Sequence, residues 1–256
     1  MLKPQRLQTI QQLVAHRGSA SVTELSTQLG CSEMTIRRDL AALAQAKKVV
    51  RVHGGAQTFA YRENNELSRN EKRNLHVREK KQVARAAASL VRAGDVVYIG
   101  PGTTNELIAN YLPTLPDLRI ITSSLPVFQS LQDRAAQLSL QLIGGEYRAK
   151  TGVFIGSLVF EMLQRLHTDK AIISVNSLAG PNMANANPDE GELMRIALTN
   201  ADKKYAVLDH SKLDKRDFYT FYSLSDCDAL ITDPWISQKD LTEYSHYTRV
   251  ITTPLN

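Results

Sequence analysis

Residues 21–55, SVTELSTQLGCSEMTIRRDLAALAQAKKVVRVHGG, constrain the fold more than any other stretch, because two short helical patterns meet there across Leu29-Gly30-Cys31-Ser32. Ser21 and Glu24 have the spacing of a capping box, and Leu25 and Leu29 repeat at helical distance. Gly30 can take the left-handed conformation that ends a helix, and Ser32 can cap the next one. Ile36, Leu40 and Leu43 then share one buried stripe, which turns Glu33, Met34, Thr35, Arg37 and Arg38 outward. Helix, tight turn and helix in this order form a helix-turn-helix, whose second helix enters the major groove of DNA.

The outward residues have suitable chemistry. Arginine presents a planar fork to the two acceptors of a guanine edge, and the same fork grips phosphates. Threonine donates to a phosphate oxygen or touches a thymine methyl. Any amphipathic helix carries surface arginines, so two arginines alone decide nothing; the turn, the caps and the basic stretch behind the second helix do. Lys47, Lys48 and Arg51 flank Val49, Val50 and Val52, which favour extended chain, and Gly54-Gly55 supplies a turn. This reads as a basic hairpin wing with His53 near its tip. Ahead of it, Leu7, Ile10, Leu13 and Val14 predict a helix over roughly 4–16, opened by Pro4, that completes a three-helix core. The candidate DNA contacts are Ser21, Thr23, Ser32, Met34, Thr35, Arg37, Arg38, Lys48, Arg51 and His53. The charge agrees: residues 1–58 hold 8 basic and 3 acidic residues, and 23 of each sign occupy the rest of the chain. A neutral body with a cationic head is the electrostatic signature of a module that meets phosphates.

Residues 5–56 resemble the N-terminal winged helix of the DeoR family of bacterial sugar-responsive repressors, through Met34-Thr35-Ile36-Arg37-Arg38-Asp39-Leu40 and His53-Gly54-Gly55-Ala56. The resemblance implies that Thr35, Arg37 and Arg38 reach a double-stranded operator.

The remaining length suits a second, larger domain. The expected division is a DNA-binding domain over 1–58, a charged linker over 59–79 and a sensor and oligomerisation domain over 80–256. No apolar run approaches membrane-spanning length and the N-terminus lacks a signal-peptide pattern, so the cytoplasm is the expected compartment. Cys31 and Cys227 have no metal-ligand spacing and are expected to be reduced; nothing points to a metal or cofactor.

From Val83 onward, short apolar runs alternate with helical patterns. Strands are expected near 96–99, 118–122, 138–143, 171–175, 205–208, 229–232 and 250–252, which predicts an α/β domain with a mostly parallel sheet covered on both faces. Function in such sheets lies at the carboxyl ends of the strands. Gly100-Pro101-Gly102-Thr103-Thr104 comes directly after the first strand and precedes an apolar helix through Leu107, Ile108 and Leu112. Glycines, a helix N-terminus and two hydroxyls make a phosphate cradle, although such a turn also caps helices for structural reasons alone. The other strand ends carry Ser123-Ser124, Gly144-Gly145-Glu146-Tyr147-Arg148, Asn176-Ser177 with a long loop to Asp189-Glu190, and Asp209-His210-Ser211-Lys212. Gathered on one rim, these would suit a phosphorylated sugar or polyol: cations for the phosphate, amides and carboxylates for the hydroxyls. The candidate effector residues are Gly102, Thr103, Thr104, Ser123, Ser124, Gly145, Glu146, Arg148, Asn176, Glu190, Asp209 and Lys212.

Residues 80–233 also resemble the DeoR sensor domain, which implies a fold related to ribose-5-phosphate isomerase. GPGTTNELIA, LIGGEYR, ALTNADKKYAVLDHSK and DFYTFYSL are similar to the lactose phosphotransferase-system branch of the family. That likeness implies tagatose 6-phosphate or a similar ketohexose phosphate as effector. Repeated or palindromic half-sites call for a symmetric oligomer, and a homodimer or tetramer is the expected DNA-bound form. The loop GPNMANANPDEGEL, residues 180–193, departs from that branch and leaves the sugar open. Two other readings remain: a DNA-binding oligomer without a ligand, and a sugar-phosphate isomerase with a DNA-binding head. Related isomerases carry an acidic string after a central strand, where this chain has Val175-Asn176-Ser177-Leu178, without a carboxylate base.

Overall fold

The computed structural model describes residues 2–17, 19–46, 48–52, 54–57, 66–134 and 136–255. Contacts divide the chain into two compact units, Met1–Leu67 and Ser68–Asn256. The second therefore begins before residue 80, and residues 68–79, expected as linker, belong to it.

In the first unit, α1 (Lys3–Arg17), α2 (Val22–Leu29) and α3 (Glu33–Gln45) enclose Ile10, Val14, Leu25, Ile36, Leu40 and Leu43, all buried. Ser21 and Glu24 form the full capping box, Gly30 ends α2 at φ 59°, and the Ser32 hydroxyl accepts from the Thr35 amide. The wing, β2 (Val50–Val52) and β3 (Gly55–Gln57), gains a strand that the sequence did not reveal. This is β1 (Ser19–Ser21), paired antiparallel with β3. Close pairing explains Gly55, since a Cβ there would lie 2.3 Å from the Ala20 carbonyl oxygen.

In the second unit, α4 (Arg69–Arg73) and α5 (Val77–Ala88) lead to β4 (Val96–Ile99). Then come β5 (Arg119–Thr122), α6 (Leu125–Leu131), β6 (Ser139–Leu142), the hairpin β7 (Glu146–Arg148) and β8 (Val153–Ile155), and α7 (Ser157–Gln164). After β9 (Thr168–Ser174), a hairpin of β10 (Ser177–Ala179) and β11 (Asn182–Asn185) precedes α8 (Pro188–Thr199) and β12 (Ala201–Val207). The chain ends with β13 (Tyr219–Ser223), β14 (Ala229–Ile231), α9 (Gln238–Ser245) and β15 (Arg249–Ile251). The seven-stranded sheet runs β15-β14-β12-β9-β4-β5-β6, with every pairing parallel. One apolar cluster, with Tyr98, Ile173, Leu193 and Leu208, and another, with Val83, Ile99, Ile120 and Val207, cover its faces.

Two sequence expectations are corrected. The segment after Gly100–Thr104 is a 3-10 helix over Asn105–Asn110, not an α-helix, so the anion-binding end of a long helix is lacking there. The stretch after Asn176 is no simple loop: β10, β11 and β13 form a three-stranded antiparallel sheet. Cys31 and Cys227 are free thiols, and burial pushes the Cys227 thiol up to about 12.

Candidate operator and effector sites

On α3, Met34, Arg37 and Arg38 are exposed, Thr35 is half-buried, and Lys48 and Arg51 are exposed beside the wing. His53 lies outside the described residues. The nominated polar side chains differ in what they already hold. Ser21 and Ser32 accept from the amides of Glu24 and Thr35 as helix caps. Thr23 donates to Glu33 at 2.9 Å, and Arg37 donates to the other Glu33 oxygen at 3.0 Å. These donors, Arg37 first, hold the Glu33 carboxyl below its usual range. Glu33 thus orients Arg37 on the exposed face and partly offsets its charge.

In the second unit the sheet winds outward in both directions from the β4/β9 pair, which makes the ends of these strands the topological switch point where ligands of such sheets bind. Gly100–Thr104 lies there, at the end of β4. Gly102 has φ 133° and a Cβ at that position would lie 2.5 Å from the Ser174 side chain, so this glycine serves a close approach to β9. Asn105 ties the turn down, its amide donating to the carbonyls of Gly100 and Ile172 at 2.9 and 3.1 Å. Across the switch, Lys212 Nζ donates to the Val175 carbonyl at 3.1 Å. Burial pushes the Lys212 ammonium down to about 8 despite the opposing attraction of Asp209. Thr104, Asn105 and Asp209 are buried, and among the described residues Thr104 Oγ1, Asn105 Oδ1 and Asp209 Oδ2 have no hydrogen-bond partner. Buried polar atoms are ordinarily paired, so orphans gathered at strand ends are what a hydroxyl- and phosphate-bearing ligand would satisfy.

A polar chain runs on from the switch point. Asn176 donates to Asn185, whose side-chain oxygen also accepts from the Asn187 amide, and Asn187 caps α8 by accepting from the Glu190 amide. Glu190 in turn accepts from Arg148 at 2.9 Å and from Thr151. Arg148, Asn176 and Glu190 thus join one network. Ser123 and Ser124 have other uses: Ser123 shares a hydrogen bond with buried Tyr98, and Ser124 caps α6. Gly145 permits close packing on Ile155 and Val159, and Thr103 is half-buried in the turn. Glu146 is exposed on β7, with no hydrogen bond or ion pair to this network among the described residues.

The sequence reading missed a second set. Lys80 is 3% exposed, and its ammonium donates to the Lys72 carbonyl at 2.5 Å. Arg69 binds Glu106 through two hydrogen bonds of 2.9 and 2.7 Å. Beyond Lys212, buried Asp233 orients His210 by accepting from its backbone amide and pairing with Nδ1, both at 2.8 Å. Lys80 had a legible signal, since it shares a helical stripe with Val83, Ala84 and Ala87.

A winged helix-turn-helix with exposed arginines on its recognition helix, joined to a doubly wound α/β unit with polar groups at its switch point, defines a DNA-binding regulator with a separate sensor. The chain belongs to the DeoR family: residues 6–60 match the DeoR-like helix-turn-helix domain and residues 75–234 the DeoR C terminal sensor domain. It is 38% identical over 252 residues to the lactose phosphotransferase system repressor of Streptococcus mutans, covering 98% of this chain and 100% of the relative. The repressor of that name from Staphylococcus aureus is 37% identical over 237 residues, 91% of this chain and 93% of the relative. Ribose 5-phosphate isomerase A from Methanocaldococcus jannaschii matches at a TM-score of 0.38 and 19% identity, over 52% of this chain and 53% of the isomerase. No helix among the described residues is long and apolar enough to cross a membrane.

Proposed function

We propose that the chain is a cytoplasmic repressor of a sugar-utilisation operon of the lactose phosphotransferase type, released from its operator by a ketohexose phosphate such as tagatose 6-phosphate. Arg37 and Arg38 read the operator, Lys48 and Arg51 hold its backbone, and a homodimer or tetramer presents the heads to repeated half-sites. Thr104, Asp209 and Lys212 receive the effector, with Arg148, Asn176 and Glu190 shaping the sugar end. The observation that carries the reading is the set of partnerless buried atoms at Thr104, Asn105 and Asp209 at the strand ends, with the Lys212 ammonium attracted to Asp209. The chain does no chemistry on the sugar in this reading, because Val175, Asn176 and Ser177 stand after β9 where an isomerase needs a carboxylate base. The names of the relatives support repression of a lactose phosphotransferase system.

A band-shift titration on the upstream region of the chain's own operon, paired with a thermal-shift series, tests this. Tagatose 6-phosphate is expected to dissociate the complex and to raise the melting point of the free protein, because a ligand of the folded state stabilises it by mass action. Effector and operator must then oppose each other by the same factor. An unmoved melting point with every sugar phosphate overturns sensing and favours a ligand-free DNA-binding oligomer; turnover of the sugar overturns the non-enzymatic assignment.

A further inference from the structure

Helix α7 (Ser157–Gln164) is apolar on two faces. Its inward residues, Val159 and Leu163, are buried in the cluster that holds Tyr98, Ile121 and Ala171. The Asn200 side-chain amide fixes the end of the helix by donating to the Leu163 carbonyl at 2.8 Å. The outward residues repeat this pattern one position earlier: Leu158 and Met162, one turn apart, are 70% and 46% exposed. Leu158 is the most exposed large apolar side chain of the sensor unit among the described residues. The exposed positions of the neighbouring helices are polar, Gln129 and Ser130 on α6 and Gln238, Lys239 and Thr242 on α9. A surface helix ordinarily shows water a polar face, and one that is apolar on both sides is covered on both.

The charges beside the two apolar side chains indicate what covers them. Leu158, Glu161, Met162 and Arg165 are all exposed and fall at i, i+3, i+4 and i+7, on one helical stripe, with Arg165 capping the C-terminal end. Glu161 ahead of Arg165 by four residues is a favourable order for an ion pair within a helix. Glu33 and Arg37 on α3 have that spacing and are joined at 3.0 Å, whereas Glu161 and Arg165 make no ion pair among the described residues. A patch that meets its own copy about a two-fold axis must be complementary to itself, and this stripe carries one charge of each sign. Let two such helices cross antiparallel at Met162. Along the helix, Arg165 then lies about 4.5 Å from the axis, and the partner's Glu161 and Leu158 lie about 1.5 and 6 Å from it in the same direction. Each arginine therefore reaches between the leucine and the glutamate of the other copy.

We propose that the Leu158–Arg165 stripe of α7 joins two copies of this chain, the helices antiparallel about a two-fold axis, with Leu158 and Met162 covered and Glu161 paired to the partner's Arg165. The proposal rests on the symmetric-oligomer part of the function proposed above and adds the surface to it. Removing the apolar side chains from water holds the copies together. The ion pairs set the orientation, because parallel helices would place Glu161 beside the partner's Glu161. A two-fold pair of sensor units brings two heads, the number that repeated half-sites require.

Sedimentation velocity on the full-length chain, free and on an operator duplex, tests this. The unsubstituted chain is expected to sediment as a dimer or larger. The double variant Leu158→Lys with Met162→Lys should associate at least about tenfold more weakly, since each apolar contact is lost in both copies. Glu161→Arg and Arg165→Glu should each weaken association, and the two together in one chain should restore it. Met162→Cys is expected to cross-link two copies under mild oxidation, while the unsubstituted chain, with Cys31 and Cys227, does not. An unsubstituted chain that is monomeric both free and on the operator overturns the oligomer reading itself. An oligomeric parent whose association the two lysines leave unchanged overturns this surface alone and leaves the stripe to a different protein. Weakening by the lysines without rescue by the charge exchange overturns the antiparallel arrangement. Should the lysine variant not fold, the charge exchange and the cross-link decide the proposal.

Discussion

Asp39 and Arg6 close on each other inside the N-terminal unit: Arg6 Nε donates to Asp39 Oδ2 at 2.5 Å, with the Asp39 side chain 2% exposed. The bond fastens the recognition helix α3 to α1. It gives the aspartate of Thr35-Ile36-Arg37-Arg38-Asp39-Leu40 a structural role while the neighbouring arginines face outward.

Asp39→Asn keeps the shape of the side chain and removes the negative charge that Arg6 pairs with, which weakens the link between α1 and α3. The expected result is a lower melting temperature for the N-terminal unit and weaker operator binding, with the effector titration unchanged. Calorimetric scans together with hydrogen exchange over residues 3–45 would show whether the damage stays in that unit.

Arg37→Ala and Arg38→Ala are each expected to cost about 1–3 kcal/mol of specific operator binding, the value of one arginine at a base edge. Lys48→Ala and Arg51→Ala should weaken binding to all DNA sequences alike and lower the salt slope by about one each. Filter binding at several salt concentrations separates the two behaviours. An arginine variant that loses affinity equally for operator and random DNA would belong with the phosphate contacts.

How much of this is legible in the sequence depends on the range of each interaction. The caps at Ser21 and Ser32, the Gly30 turn and the strand–helix alternation are local, so a single stretch of sequence contains all their partners. The Arg6–Asp39 pair joins residues far apart in sequence, as do Arg69–Glu106 and Arg148–Glu190, and no periodicity shows which charges meet. Residues 68–79 read as linker because charge and few large apolar side chains resemble a solvated segment. The Ser68–Glu71 capping box is a local mark of a helix there, but its tertiary tethers, such as Arg69 to Glu106, are not local. Ser123 and Ser124 illustrate the converse. Their positions at a strand end suggest ligand contacts, yet Tyr98 and the first turn of α6 already engage both hydroxyls.

Gly102→Ala is expected to cost about 1–3 kcal/mol of stability in the sensor unit through backbone strain, and more where the new methyl meets Ser174. The φ of 133° and the 2.5 Å approach act together. Ser174→Gly in the same chain would therefore restore only part of the loss. Effector binding should fall with the deformed turn, while operator binding by the folded protein persists. Chemical denaturation of the single and double variants measures the two contributions.

Lys212 gives the last prediction, in which stability and sensing move in opposite directions. Its pKa is pushed down to about 8 in the folded protein, against an ordinary lysine value near 10.4 in the unfolded chain. Below about pH 8 both states carry the proton, and folding bears the full cost of burying the charge. Between about 8 and 10.4 the unfolded chain binds more protons than the folded one, so this group makes stability rise with pH across that window. Lys212→Met removes the cost, so the variant is expected to melt higher than the parent at neutral pH and to lose the parent's rise above pH 8. It should nevertheless bind operator normally and fail to release it when tagatose 6-phosphate is added. In the parent, effector affinity should decline above about pH 8 as the ammonium loses its proton, and effector binding there should take up protons. Titrations in buffers of different ionisation enthalpy measure that uptake. A Lys212→Met protein that is less stable than the parent and still responds to effector would show that the lysine supports the fold and does not hold the ligand.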